Sequence, residues 1–301
     1  METYQKYLDP KVLNKITKLD LKARLIVEGF VTGLHKSPYH GFSVEFAQHR
    51  EYVPGDDLRH LDWKVFGRSD RLYLKQYEQE TNLRAYIMLD TSESMSYKSD
   101  EITKLEYASY IASSLAYLIN QQQDAVGLIL FDREITKMLP ASTSASQLKG
   151  LFNEIVNARA EKKTDIAAVF HNAAERLTHR GLVVIVSDLL DQIGNVPKIL
   201  TGLSHFRHRG HDVMLFHVLD DFEMTFPFQR MTMFEGMEEY PQELIDPRSI
   251  RRAYLEEVTN FCTAIRRGCL EQKIDYVQVT TDQMLDVALS GYLAKRLARR
   301  R

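Results

Sequence analysis

From residue 83 onward, short apolar runs alternate with longer amphipathic segments, and this alternation limits the possible folds more than any other feature. The strand candidates are 83–89, 126–131, 182–187, 213–219 and 276–280, rich in Val, Ile, Leu and Tyr, with a short antiparallel strand expected at 134–139. Helical periodicity covers about 103–122, 145–157, 166–178, 196–209 and 248–271, and again from 283 to the end. Strands that are apolar on successive positions must be covered on both faces. The pattern therefore predicts an α/β fold, a doubly wound, mostly parallel sheet of Rossmann type.

The chain divides near residue 80, giving an N-terminal helical and β extension over 1–80 and the α/β domain over 81–301. The extension has an amphipathic pattern at 20–34 and a Gly, Ser, Pro and His-rich loop, GLHKSPYHGF. A charged and aromatic segment, 43–80, follows, with a turn signal at Pro54-Gly55-Asp56 and a strand expected at 71–77. A formal net charge of −2 gives no bulk attraction to nucleic acid or to an anionic membrane. No apolar run approaches the roughly 18 residues of a spanning helix, and METYQKYLDP lacks the basic-then-apolar pattern of a secretory signal. Cys262 and Cys269 form no C-x-x-C pair and read as reduced, packed thiols, so a cytoplasmic location is expected.

Chemistry concentrates where the first strand ends. LRAYIMLDTSESM places Asp90, Ser92 and Ser94 at alternate positions, so that one carboxylate and two hydroxyls can converge in a loop. Such a set suits a hard divalent cation. In open α/β sheets, ligands gather at the carboxyl ends of the strands. Asp188 stands there after VVIVS, and Thr164 lies on the loop feeding the helix that begins near residue 166. These five residues form a possible metal-binding set. As a lone motif, Asp-x-Ser-x-Ser reads as a strand-to-helix turn in which Asp90 or Ser94 caps backbone N–H groups. Its placement after a buried strand, with Thr164 and Asp188 in compatible loops, favours the metal site instead.

With these residues the chain resembles the von Willebrand factor A fold and its metal-ion-dependent adhesion site. EFAQHREYVPGDDLRHLDWKVFGRSDRLYLKQYEQETN followed by MLDTSESM also resembles the DUF58 family, whose function is unknown. The resemblance spans roughly residues 20–295. It implies that Asp90, Ser92 and Ser94 supply the first ligand loop, Thr164 the second and Asp188 the third, around Mg2+ or Mn2+. It further implies companionship with a MoxR-type AAA+ ATPase in protein remodelling or complex maturation. Two positions depart from the broader pattern: Leu189 follows Asp188 in place of the frequent Gly, and Lys162-Lys163 precede Thr164.

Other motifs have plainer readings beside the functional one. Arg50, Arg59 and Arg68 can pair with Asp57, Asp62 and Asp70 to pin their segment against the main domain, with Trp63 as a packed indole. The alternative is a partner-docking role for Arg50, Asp57, Arg59, Asp62, Trp63 and Lys64, since Arg and Trp dominate binding hot spots. HFRHRGH reads as a basic last helical turn capped by Gly210. The terminal KRLARRR reads as a solvated helix end, with nothing aromatic interleaved. A hairpin is expected within DDFEMTFPFQRMTMFEGM.

Enzymatic motifs are absent: no P-loop, no His-Glu-x-x-His, no Gly-x-Ser-x-Gly. An aspartate-nucleophile phosphatase would need a second carboxylate two residues after its Asp, and Ser92 stands there. The expectation is a non-enzymatic, metal-dependent adaptor that takes a partner's Asp or Glu at the cation. The alternative is a metal-independent structural scaffold.

Overall fold

The computed structural model describes residues 23, 26, 27, 48–51, 65–67, 73–76, 83–160, 165–190, 195–234, 243–286, 289 and 290. The chain separates into two compact units, Pro38–Asn82 and Met1–Ser37 with Leu83–Arg301. In the smaller unit, β1 (Gln48–Glu51) pairs antiparallel with β2 (Tyr73–Gln76), Gln48 opposite Gln76.

The larger unit is an α/β fold built on a mixed, mostly parallel sheet. Its strands are β3 (Arg84–Asp90), β4 (Ala125–Phe131), β5 (Ile135–Ser142), β6 (Leu182–Ser187), β7 (Asp212–Leu219) and, after a separate two-stranded ribbon, β10 (Asp275–Thr280). The ribbon pairs β8 (Thr232–Phe234) with β9 (Glu243–Ile245). The main sheet has the order β10-β7-β6-β3-β4-β5, and all neighbours run parallel except β4 and β5. The chain winds outward from β3 to β5, then returns to lay β6 against the other side of β3. That reversal opens a crevice between the carboxyl ends of β3 and β6.

Helices cover both faces: α1 (Lys104–Gln121), α2 (Ala145–Asn157), α3 (Ile166–Arg176), α4 (Val196–His208), the short α5 (Asp221–Thr225) and α6 (Pro247–Glu271). The period-2 geometry of a strand splits β3 between two cores. Ala85, Ile87 and Leu89 join the side chains of α1 and α2, together with Ala23, Ile26 and Val27. Tyr86 and Met88 join Phe170 of α3, Phe206 of α4 and Ile265 of α6. Each fully buried Leu, Ile or Phe contributes about 1.5–3 kcal/mol, so neither face could be left bare.

Local chemistry sets the boundaries. Thr103 and Glu106 close a reciprocal capping box at the start of α1. Gly210, at φ +82°, follows the basic last turn of α4, as the sequence predicts. β5 runs to Ser142, beyond the expected 139, and tolerates Pro140 because it is the edge strand. The Met- and Phe-rich stretch differs from expectation. It opens with α5, because Asp220 and Glu223 form a second capping box, and β8 pairs with β9, which lies beyond the stretch. Among the described residues no helix is long and apolar enough to cross a membrane.

Candidate functional site

Adjacent, parallel β3 and β6 bring the end of one strand beside the end of the other, which places Asp90 and Asp188 in the same crevice. The loop after β3 is held to β4, since the Thr91 N–H and hydroxyl both donate to Phe131 O, at 2.7 and 2.9 Å. A single 3-10 turn over Glu93–Ser96 follows. Ser92, just ahead of it, and Ser94, within it, are buried with their hydroxyl oxygens 3.1 Å apart, while Glu93 remains partly exposed. The Asp-x-Ser-x-Ser spacing thus turns its three oxygen-bearing side chains inward.

Asp90 Oδ1 accepts from the Ser92 N–H at 2.9 Å, and Oδ2 accepts from Ser187 Oγ at 2.5 Å. Ser187 Oγ in turn accepts from the Leu189 N–H at 2.9 Å, so one hydroxyl joins the two loops. Leu189 itself adopts φ +55°, the left-handed conformation that glycine favours. The leucine that departs from the adhesion-site pattern therefore keeps a glycine-like backbone, at a cost of about 1–2 kcal/mol, and its side chain is fully buried.

The two carboxylates have unlike surroundings. Among the described residues the donors to Asp90 are neutral. Burial first, then repulsion from Asp188, pushes its pKa up to about 7, against the opposing hydrogen bonds from Ser187 and Ser92. Asp188 has a cation. Lys104 Nζ, fully buried, donates to Asp188 Oδ2 at 2.8 Å and to Glu223 Oε1 at 2.7 Å. Burial alone would lower the lysine, and Asp188 and Glu223 together outweigh it and hold it well above its ordinary value. Burial raises Glu223, partly offset by Lys104.

The Asp188 loop is further fixed by the Leu190 N–H, which donates to Oδ1 at 3.0 Å, and by His217. His217 Nε2 donates to Asp188 O at 2.8 Å, and Nδ1 accepts from the Tyr276 hydroxyl at 2.7 Å. Burial holds His217 down to about 4, neutral at ordinary pH.

The structure thus brings together Asp90, Ser92, Ser94 and Asp188. Thr164 lies outside the described residues, although Asp165 caps α3 by accepting from the Ala168 N–H at 3.2 Å. Asp57, Arg59, Asp62, Trp63, Lys64, Arg68 and Asp70 also lie outside them, and Arg50 is described only as backbone in β1. Lys104, Ser187, His217 and Glu223 were not foreseen from the sequence. Lys104 did leave a signal: a lysine at the first position of a helix opposes the dipole and calls for a carboxylate partner.

One carboxylate with neutral donors only among the described residues and two converging hydroxyls are the hard oxygens that Mg2+ or Mn2+ accepts, so these residues fit such an ion. Among the described residues no group of three or more His, Cys, Asp or Glu side chains is placed to hold a metal, so the hydroxyls would have to contribute.

Residues 48–262 match the family model described as "Protein of unknown function DUF58". Uncharacterised proteins of Mycobacterium tuberculosis and Mycobacterium bovis are 25% identical over 222 residues, covering 73% of this chain and 68% of each relative. Among solved structures, the conserved hypothetical protein BatB from Bacteroides thetaiotaomicron is similar at a TM-score of 0.51 and 16% identity, over 72% of this chain and 99% of that one. That likeness is one of fold. An aerotolerance-related membrane protein from Bacteroides fragilis follows at a TM-score of 0.47 and 18% identity, over 73% of this chain and 100% of that one.

Proposed function

Since the chain belongs to the DUF58 family of proteins of unknown function, we propose a function from its site: a non-enzymatic, cation-dependent interaction adaptor with a von Willebrand factor A-like fold. The observation that carries this reading is Asp90, a buried carboxylate with neutral donors only among the described residues, beside the paired hydroxyls of Ser92 and Ser94. In this reading Asp90, Ser92 and Ser94 hold Mg2+ or Mn2+, Thr164 adds an oxygen, and Asp188 contributes charge at the crevice. A bound ion supplies an open, Lewis-acidic position for a partner's Asp or Glu. The chain's own residues bind, orient and keep the loop rigid.

The partner class follows from the family resemblance, a MoxR-type AAA+ ATPase in the cytoplasm that provides the energy for remodelling. The segment bearing Arg50, Asp57, Arg59, Asp62, Trp63 and Lys64 is a second contact surface. A phosphatase role is disfavoured because Ser92 stands where that chemistry needs a second carboxylate.

The test is affinity capture of the tagged chain from its own lysate in Mg2+ and in EDTA, repeated with Asp90→Ala. An AAA+ ATPase retained in Mg2+ and lost both in EDTA and in the variant supports the adaptor. A second reading, a metal-independent scaffold, is favoured by the Lys104–Asp188 pair, which already gives one carboxylate a cation. It expects the same partner in all lanes.

A further inference from the structure

The candidate cation site contains a positive charge that belongs to the chain itself. Lys104 is fully buried, and its ammonium is gripped by carboxylates from two separate segments, the loop after β6 and helix α5. Removing an ammonium from water is costly, and its position at the start of α1 adds the unfavourable end of the helix dipole. Such a lysine persists only because both carboxylates compensate it. The grip is itself braced. Glu223 Oε2 accepts from the Asp220 N–H at 2.8 Å, and Asp220 Oδ2 accepts from the Ser99 N–H and the Thr281 hydroxyl, each at 3.1 Å.

The two aspartates of the crevice are consequently unequal. Asp188 uses Oδ2 for Lys104 and Oδ1 for the Leu190 N–H. Asp90 faces only neutral donors among the described residues. A divalent ion sharing Asp188 Oδ2 with an ammonium would meet strong repulsion in a buried setting. We propose that Lys104 is a resident counter-ion that withholds Asp188 from the ligand set of a cation at Asp90, Ser92 and Ser94, and so sets how weakly that cation is held. The inference rests on the cation-site reading above. It makes Lys104 a positioning residue, and it makes the partner's carboxylate more important, because the chain supplies fewer anionic ligands than its motif suggests.

The test titrates Mn2+ into the full chain, read by electron paramagnetic resonance of the free ion, for wild type, Lys104→Met and Lys104→Arg. Lys104→Met is expected to bind about tenfold more tightly, since a repelling charge is gone and Asp188 is released. Lys104→Arg keeps the charge and stays near wild type. Asp90→Ala in the Lys104→Met background should abolish the gain. Binding by wild type with no gain in Lys104→Met overturns this inference alone. No binding by either overturns the cation-site reading and this inference with it. Binding by Lys104→Met alone supports the counter-ion and makes the native site metal-independent. If Lys104→Met fails to fold, a wild-type crystal soaked in Mn2+ decides. Lys104 still bonded to Asp188 beside the ion supports the proposal, and Asp188 turned onto the ion with Lys104 displaced overturns it.

Discussion

Lys104 Nζ lies 2.8 Å from Asp188 Oδ2 with neither side chain exposed, and this pair joins the first turn of α1 to the loop that follows β6. Breaking it strands buried charge. Lys104→Ala leaves two carboxylates uncompensated and is expected to cost about 3–5 kcal/mol. A triple variant, Lys104→Met with Asp188→Asn and Glu223→Gln, removes all three charges and should recover most of that loss. Urea denaturation midpoints at an unchanged m-value measure both.

Asp90 carries the opposite problem. Its pKa is raised to about 7 in the folded state, so the folded chain holds a proton that the unfolded chain releases near the ordinary carboxylate value. The associated stability is complete below about pH 4 and is lost as pH rises to about 7. Asp90→Asn escapes this loss. In metal-free buffer it should match wild type near pH 4 and exceed it by roughly 2–4 kcal/mol at pH 8. Saturating Mn2+ should stabilise wild type and leave Asp90→Asn unchanged, which thermal melts with and without the ion would register.

His217 acts with the reverse sign. Its folded pKa is lowered to about 4, so its contribution is present above the unfolded value near 6.5 and is lost as pH falls through the folded value. Acidification from pH 6.5 to 4 should therefore remove roughly 3 kcal/mol through this residue. His217→Gln should flatten that acid limb. Because Asp90 gains what His217 loses over the same interval, wild type should show a shallow net slope, and each single variant should uncover the other's.

Close approach of backbones fixes one glycine on the path to the site. A Cβ on Gly181, just ahead of β6, would run into the backbone carbonyl of Arg84 at the start of β3. Gly181→Ala must push apart the two strands that present Asp90 and Asp188, and a cost of about 1–3 kcal/mol is expected. Gly150, inside α2, has open space around a Cβ. Gly150→Ala should stabilise by about 0.5–1 kcal/mol. Chemical denaturation of the two variants side by side checks the contrast.

The layered α/β architecture is legible in the order of the residues alone. Residues 85–89, 125–131 and 182–186 carry no charged or polar side chain except the Tyr86 hydroxyl, and the segments between them repeat at helical spacing. These are local periodicities, written into neighbouring residues. The Asp-x-Ser-x-Ser loop was legible for the same reason, because its hydrogen bonds span two residues. Leu189 was legible only as a departure from a pattern, and its left-handed backbone became visible in the fold.

Which charges meet is settled only when the chain folds. Ser187 reaches Asp90 across 97 residues, and Lys104 reaches Asp188 across 84 and Glu223 across 119. No local spacing encodes such contacts. They arise because the return of the chain sets β6 against β3, while the start of α1 brings Lys104 to Asp188 and α5 brings Glu223 to Lys104. A buried ammonium is stable only where that assembly delivers two carboxylates to one point.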